Sequence, residues 1–348
     1  MNSHQKSTGY VYDPIFLKHT WPGHPESAQR LQAIMPELES SGLLPLLEKI
    51  PARAATIEEL STVHPVSHIR RIEEICRAGG GHLDPDTYTN RDTYEAAIVA
   101  AGGLIELTLA VLDEQLRNGY ALVRPPGHHA LPSRAMGFCI FNNVAIAARA
   151  AQQQRQLERV AIVDFDVHHG NGTQAVFEDD PTVLYISTHQ YPHYPGTGRV
   201  NEIGHGSGTG SIVNFPLSAG VGDTGFRRIY TEVLAPLIRR FQPDLILVSA
   251  GYDGHWHDPL AGLGLSLTGM TWIAQTLRTL AEEVCGGRLV FTLEGGYDLD
   301  VLKLGVANSL RVLLGRDDMV DPLGLSPRHE PDVTELLAEV KRLHGLEE

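Results

Sequence analysis

Cysteine is scarce in this chain. Cys76, Cys139 and Cys285 are the three present in 348 residues, too widely spaced for a Cys-x-x-Cys pair or an even disulfide framework. That usage excludes a disulfide scaffold and implies a reducing compartment, read here as the cytoplasm. Cationic charge is also short. Lys and Arg number 28 against 42 Asp and Glu, a net −14, which lacks the basic footprint of a nucleic-acid binder. No membrane partner is expected either: the most apolar stretch, Ala96 to Leu112, is interrupted by Glu106 and reads as too short to cross a bilayer. The first eight residues are polar and hold no apolar signal core. Pro/Gly/Ser linkers, charge blocks, internal repeats and low-complexity tracts are missing, so residues 1–348 read as one domain. Nothing in the composition sets the oligomeric state.

What the chain does have is a rhythm of short apolar runs and helical segments. Strands are expected just after Gly9 and over 121–123, 160–163, 183–186, 245–248 and 289–293. Helices are expected from Pro25-Glu26 and over 65–77, 93–117, 142–156, 173–177, 224–241 and 268–284, with a final pair at the end. Residues 79–86 and the glycine-rich 204–210 read as loops, the latter without the Gly-Lys-Ser/Thr ending of a phosphate-binding loop. Continuous apolar strands alternating with helices indicate an α/β fold with a parallel sheet covered on both faces. Five runs end in polar, glycine-rich residues, and such sheets bind ligands outside the carboxyl ends of their strands. His128/His129, Asp166/His168, Asp253 and Tyr297 should therefore meet at one rim.

The central run, Val160 to Val163, leads into Asp164, Asp166, His168 and His169. Residues two apart on a strand share a face, so Asp164, Asp166 and His168 are expected to point one way. Asp166, His168 and Asp253 then offer two carboxylates and an imidazole, a donor set for divalent zinc or iron with one position left open. His128 and His129 suit acid–base work, with Asp164 orienting one of them and Asn171 the other. Tyr297, after Gly295-Gly296, can donate to a developing oxyanion. His189, His193, His205, His255 and His257 read mostly as loop or rim residues. Cys139, between Phe138 and Ile140, reads as a packed small hydrophobe, and no Gly-x-Ser-x-Gly elbow is present.

These residues carry a family resemblance. Arg124-Pro125-Pro126-Gly127-His128-His129, Gly137-Phe138-Cys139, Asp164-Phe165-Asp166-Val167-His168-His169-Gly170-Asn171-Gly172, Pro195-Gly196-Thr197-Gly198, Ser249-Ala250-Gly251-Tyr252-Asp253 and Glu294-Gly295-Gly296-Tyr297 resemble, in order, the motifs of the zinc-dependent histone deacetylase family. The resemblance extends to its bacterial amidohydrolase and acetylpolyamine amidohydrolase relatives. It runs from about Tyr10 to Leu314. It implies one catalytic domain of the arginase–deacetylase fold around an eight-stranded parallel sheet, core about 10–314, with a helical tail over 315–348.

By position, the resemblance makes Asp166, His168 and Asp253 the zinc ligands, His129 the general base and acid, and His128, paired with Asp164, the electrostatic partner. Tyr297 becomes the residue that polarises the acyl carbonyl. Gly137, Phe138 and Tyr194 would wall the acyl-lysine tunnel, with Tyr194 standing where the family usually has Phe. Asn171 resembles the class II branch. A structural potassium ion would take backbone oxygens of Asp164, Asp166 and His168 with Ser187 and Thr188. Leu260 stands where polyamine-deacetylating relatives carry an acidic gatekeeper, which favours acyl-lysine as substrate. The Asp84/Asp86 loop would hold substrate backbone at the rim. The implied activity is zinc-dependent hydrolysis of acetyl-lysine or similar acylated amines. The alternatives are an acetylpolyamine or other small-amide deacylase, a non-catalytic acyl-lysine binding protein, and an arginase-like site with two manganese ions.

Overall fold

The computed structural model describes residues 7–346. Among them ten strands form in chain order: β1 (Thr8–Val11), β2 (Leu47–Lys49), β3 (Gly80–His82), β4 (Tyr88–Asn90), β5 (Asn118–Ala121), β6 (Val160–Asp164), β7 (Val183–Gln190), β8 (Ile212–Leu217), β9 (Leu245–Ala250) and β10 (Leu289–Leu293). Eight make one sheet in the order β2-β1-β5-β10-β9-β6-β7-β8, with every neighbouring pair parallel. β3 and β4 form a separate antiparallel hairpin.

The inner strands β5, β10, β9 and β6 are buried along their whole length. Helices Thr93–Leu112 and Asn143–Arg155 pack on each other and on these strands. Helices Gln29–Ser40, Leu299–Leu313 and Leu267–Cys285 pack in a row and reach β5, β9 and β10 from the other side. The result is a single α/β domain whose strands are apolar because both faces are covered.

Departures from the expected elements have local causes. The edge strands β2 and β8 escape an apolar-run reading. β2 is Leu-Glu-Lys and largely exposed, and β8 contains Asn214 and Pro216, a proline tolerated where no further strand needs its N–H. β5 lies at 118–121, not 121–123, because Leu122 and Val123 are buried beyond the end of the ladder. The β3–β4 hairpin occupies part of the expected 79–86 loop. The helix expected over 93–117 stops at Leu112. Counted from Thr93 it has 20 residues and is long and apolar enough to cross a membrane, which corrects the shorter span expected. Yet 72% of its apolar stretch is buried inside the fold, as a core helix. The segment 223–241 is helical but passes through a π turn at Tyr230–Leu234, just ahead of Pro236.

The first helix begins at Gln29, not Pro25, because Glu26 is drawn into a buried ionic cluster. Arg124 pairs with both Glu26 oxygens, Nη2 to Oε2 at 2.7 Å. Arg30 Nη1 lies 3.3 Å from Oε1, and His19 Nε2 lies 3.5 Å from Oε2. Arg124 also donates to the carbonyls of Phe16 and His19, each at 2.7 Å. Arg30 reaches across the fold to the carbonyls of Gly296, at 2.9 Å, and Glu294. The cluster thus ties the N-terminal segment to the loop after β10.

Burial alone would raise the Glu26 pKa, but Arg124 and the hydrogen bonds hold it well below the usual carboxylate range. Its contribution to stability is therefore present above the unfolded value and lost as pH falls toward the folded one. Glu26→Gln is expected to lower the unfolding free energy by about 3–5 kcal/mol near neutral pH. In urea titrations the gap between parent and variant should narrow once pH drops below about 4.3. A loss under roughly 1 kcal/mol would mean that the arginines are satisfied elsewhere.

Candidate active site

β6 ends at Asp164, so strand alternation does not bring Asp164, Asp166 and His168 together, contrary to expectation. Two tight turns do. The N–H of Asp166 donates to Asp164 Oδ1 at 3.2 Å, and the N–H of His168 to Asp166 Oδ1 at 2.9 Å. A carboxylate capping the N–H two residues on is the ordinary Asx turn. Repeated here, it folds the chain along the carboxyl edge of the sheet. Asp253 follows β9 and locks onto the same turn by accepting the N–H of Val167 at 3.0 Å.

One ligand atom from each of Asp166, His168 and Asp253 lies within 4.8 Å of the others, all three residues buried. His168 Nδ1 is 3.1 Å from Asp166 Oδ1 and 3.3 Å from Asp253 Oδ2. A tetrahedral ion with bonds of about 2.0–2.1 Å sets its ligands roughly 3.3 Å apart, so this spacing fits. Asp253 Oδ2 has the His168 ring as its one close polar neighbour and no well-formed hydrogen bond among the described residues, so this buried carboxylate has capacity left for a cation. Burial would lower the His168 pKa, yet bonds and charges from Asp166 and Asp253 push it up to about 10. The carboxylates that favour a proton on this ring would favour a metal cation in its place. Glycine is required beside it: a side chain at Gly251 would strike Asp166 Oδ2, and one at Gly295 would strike Asp253 Oδ2.

A second cluster of potential ligands, His128, Cys139 and Glu294, has other duties. Glu294 accepts the N–H groups of Gly127 and His128, at 2.7 and 3.2 Å, and the Ser249 hydroxyl at 3.0 Å. It thereby joins the segment after β5 and the carboxyl end of β9 to the segment after β10. Cys139 is fully buried and accepts the His129 N–H.

His128 and His129 are both buried, with ring centres 4.0 Å apart. His128 Nδ1 is 3.0 Å from Asp164 Oδ2, an oxygen that also accepts the Tyr185 hydroxyl at 3.0 Å. His129 Nδ1 is 2.8 Å from Asn171 Oδ1. Burial depresses the pKa of both rings. For His128 the charges of Asp164, Asp166 and Glu294 win and carry it to about 10. For His129 the neighbouring His128 and His168 add to burial and hold it well below the ordinary value. With Asn171 accepting from Nδ1, the lone pair of His129 is left on Nε2. A ring that favours its neutral form thus sits beside one that favours the imidazolium.

These groups form the floor of a pocket of about 210 Å³. Gly137, Phe138, Tyr194, Leu260 and Tyr297 all line it. Phe138 and Tyr297 meet edge to face at 5.9 Å. Phe138 has φ +66°, uncommon for a residue with a side chain, and Thr87 Oγ1 accepts its N–H at 3.0 Å. Tyr194 faces His129 edge-on at 5.2 Å and is 36% exposed, which puts it at the mouth. Asp86 also lines the pocket.

Three contributors escaped the sequence reading. His193, expected at the rim, stacks on His168 at 5.1 Å, and its Nε2 lies 3.1 Å from the Leu260 carbonyl. Asp258 accepts the N–H of Tyr297 at 2.7 Å and of Leu260 at 2.9 Å, so one carboxylate sets two walls. Glu294 was visible as a motif member, but its bridging duty depends on strand order. In contrast, His189 and His255 are buried, not rim residues. His189 is held by Ser187 Oγ at 2.9 Å and the Gly198 carbonyl at 2.8 Å.

Comparison with known proteins accounts for the arrangement. A model of the histone deacetylase domain matches residues 24–313. Histone deacetylase 14, chloroplastic, of Arabidopsis thaliana is 41% identical over 95% of this chain and 83% of its own length. A probable deacetylase of Archaeoglobus fulgidus is 41% identical over 84% of this chain and 82% of its own. The solved HDA15 HD domain superposes with a TM-score of 0.89 at 36% identity, covering 97% of this chain and 94% of that one. Fold and relatives together define a hydrolytic deacetylase. The chain belongs to the histone deacetylase family.

Asp253→Ala is expected to weaken divalent-metal binding by more than about 100-fold, since even outer partners of a metal site cost 10–100-fold. Competition against a chromophoric chelator reads this directly, with circular dichroism as the folding control. Unchanged affinity would remove Asp253 from the metal site.

Proposed function

We propose that the protein is a zinc-dependent amidohydrolase that removes acetyl or similar acyl groups from lysine-like amines, with iron as the alternative ion. The observation that supports this best is the gathering of Asp166, His168 and Asp253 around one point beneath a pocket that also holds His128, His129 and Tyr297. Three oxygen and nitrogen ligands with a position left open suit catalytic zinc, which when bound supplies a Lewis acid and lowers the pKa of water to about 7.

The side chains divide the remaining work. Phe138, Gly137, Tyr194 and Leu260 enclose the alkyl chain and exclude bulk water. His129 takes a proton from the attacking water at Nε2, oriented by Asn171. His128, held charged by Asp164, stabilises negative charge growing nearby. The Tyr297 hydroxyl donates to the acyl oxygen as it becomes an oxyanion. His129 then returns its proton to the departing amine. The implied potassium would sit on backbone oxygens of the 164–168 turn beside Ser187 and Thr188. The three unpaired, buried thiols accord with a reducing compartment such as the cytoplasm.

Leu260 on the pocket wall favours acyl-lysine, in peptides or as a small molecule. Asp86, a carboxylate on the same pocket, favours a second reading, deacylation of cationic acetylpolyamines.

Assaying zinc-replete protein on acetyl-lysine peptides, free acetyl-lysine, longer acyl-lysines and acetylspermidine tests the reading. Higher kcat/KM on an acyl-lysine substrate is expected. The reverse order would transfer the assignment to polyamines, and tight binding without turnover would make the protein a binder. Tyr297→Phe is expected to lower kcat by about 10²–10³ with metal content unchanged. Equal kcat would remove Tyr297 from the chemistry.

A further inference from the structure

A second, smaller recess is lined by residues close in sequence to Asp86 and Gly137 of the tunnel. It holds about 50 Å³ and is walled by His68 and Arg71 of the helix Val66–Arg77, by Leu83 just after β3, and by Ser133 and Arg134. On a chain of net charge −14, two arginines meeting at one recess require a reason. Many of the other arginines pair with carboxylates: Arg53 with Glu59 and Glu106, Arg149 with Asp180, Arg155 with Asp113. Neither Arg71 nor Arg134 makes a salt bridge or side-chain hydrogen bond among the described residues. The adjoining acidic loop forms no ion pair with either of them among the described residues. Asp84 Oδ1 is taken by the N–H groups of Asp86 and Thr87, at 3.1 and 2.7 Å, and Asp86 Oδ1 by the Thr87 hydroxyl at 3.2 Å.

His68 is buried, and its Nε2 has no hydrogen-bond partner among the described residues. Burial and the charge of Arg71 hold the ring below its ordinary pKa, opposed by the Ile140 backbone, so an anion that offsets Arg71 is the partner that would let this ring donate. Guanidinium forks recognise planar oxyanions in pairs of bonds, and the recess has room for a single carboxylate group.

The location links it to the site. Arg134 is three residues from Gly137, so their Cα atoms are at most about 11 Å apart. The charge of Arg134 also acts on Tyr194 at the tunnel mouth, against Asp84 and Asp86. One peptide residue spans roughly 3.5 Å, so about three residues of substrate cover the greatest possible distance from Gly137 to Arg134.

We propose that Arg71, Arg134 and His68 bind a carboxylate carried by the substrate beside its acylated amine, so that the enzyme selects acyl-lysine in an acidic context. This rests on the deacylase reading above.

The test uses two acetyl-lysine peptides that differ only in Glu or Gln at the flanking positions. The native protein is expected to show a KM about five- to tenfold lower for the Glu peptide, with kcat alike. Arg134→Gln and Arg71→Gln should lose that preference and keep the native constants on the Gln peptide, while Arg134→Lys retains part of it. Inorganic phosphate at constant ionic strength should erase the preference. Equal KM values in the native protein, or a preference that survives both Gln variants, overturn the proposal. Phosphate inhibition falling equally on both peptides also overturns it, by placing a free anion there. If no acetyl-lysine peptide is turned over, the deacylase reading fails alone. The recess is then judged by fluorescence anisotropy, comparing binding of the two peptides to native and Arg134→Gln protein.

Discussion

The rim of this sheet depends on keeping carboxylates out of water. Asp164, Asp166, Asp253 and Glu294 are each no more than 1% exposed, and buried carboxylates persist only when compensated. Each is compensated differently. Asp164 has the His128 ring and the Tyr185 hydroxyl. Glu294 has two backbone N–H groups and the Ser249 hydroxyl. Asp166 has the N–H groups of His168 and Gly295. Asp253 has the Val167 N–H on one oxygen and only the His168 ring, at 3.3 Å, near the other. The incomplete compensation of Asp253 marks where a cation belongs.

The rest of the fold serves this arrangement. A parallel sheet buried on both faces confines polar side chains to strand ends. The segments after β5, β6, β9 and β10, which are neighbours in the sheet, supply His128 and His129, Asp166 and His168, Asp253, and Tyr297. Glu26 and its arginines extend the same economy of charge outward, by anchoring the carbonyls of Glu294 and Gly296. A shift of one strand by one residue would move its carboxylate away from its partner, and the cluster would lose both its charge balance and its shape.

Much of the site was legible before any coordinates. Polar, glycine-rich endings on apolar runs located the rim, and residue type with spacing singled out Asp166, His168 and Asp253, which the fold brings together. The reason offered for their convergence was incomplete, since Asx turns after β6, not strand alternation, bring Asp166 and His168 round. His193 was illegible because a histidine in a Pro/Gly loop looks the same whether it stacks on a ligand or faces water. Asp258 was illegible because its task is to accept N–H groups of residues 2 and 39 positions away. Edge strands β2 and β8 were missed because an edge needs no continuous apolar run.

The amino-acid order by itself determined the α/β class, the parallel sheet and the residue types at its rim, because burial periodicity and donor chemistry are local properties. Tertiary structure alone decided which oxygen is left without a well-formed hydrogen bond, which histidine favours its charged form and which its neutral form, and that two unpaired arginines meet at one recess. Those outcomes depend on distances between segments up to 166 residues apart, and electrostatic interaction is set by such distances and by burial.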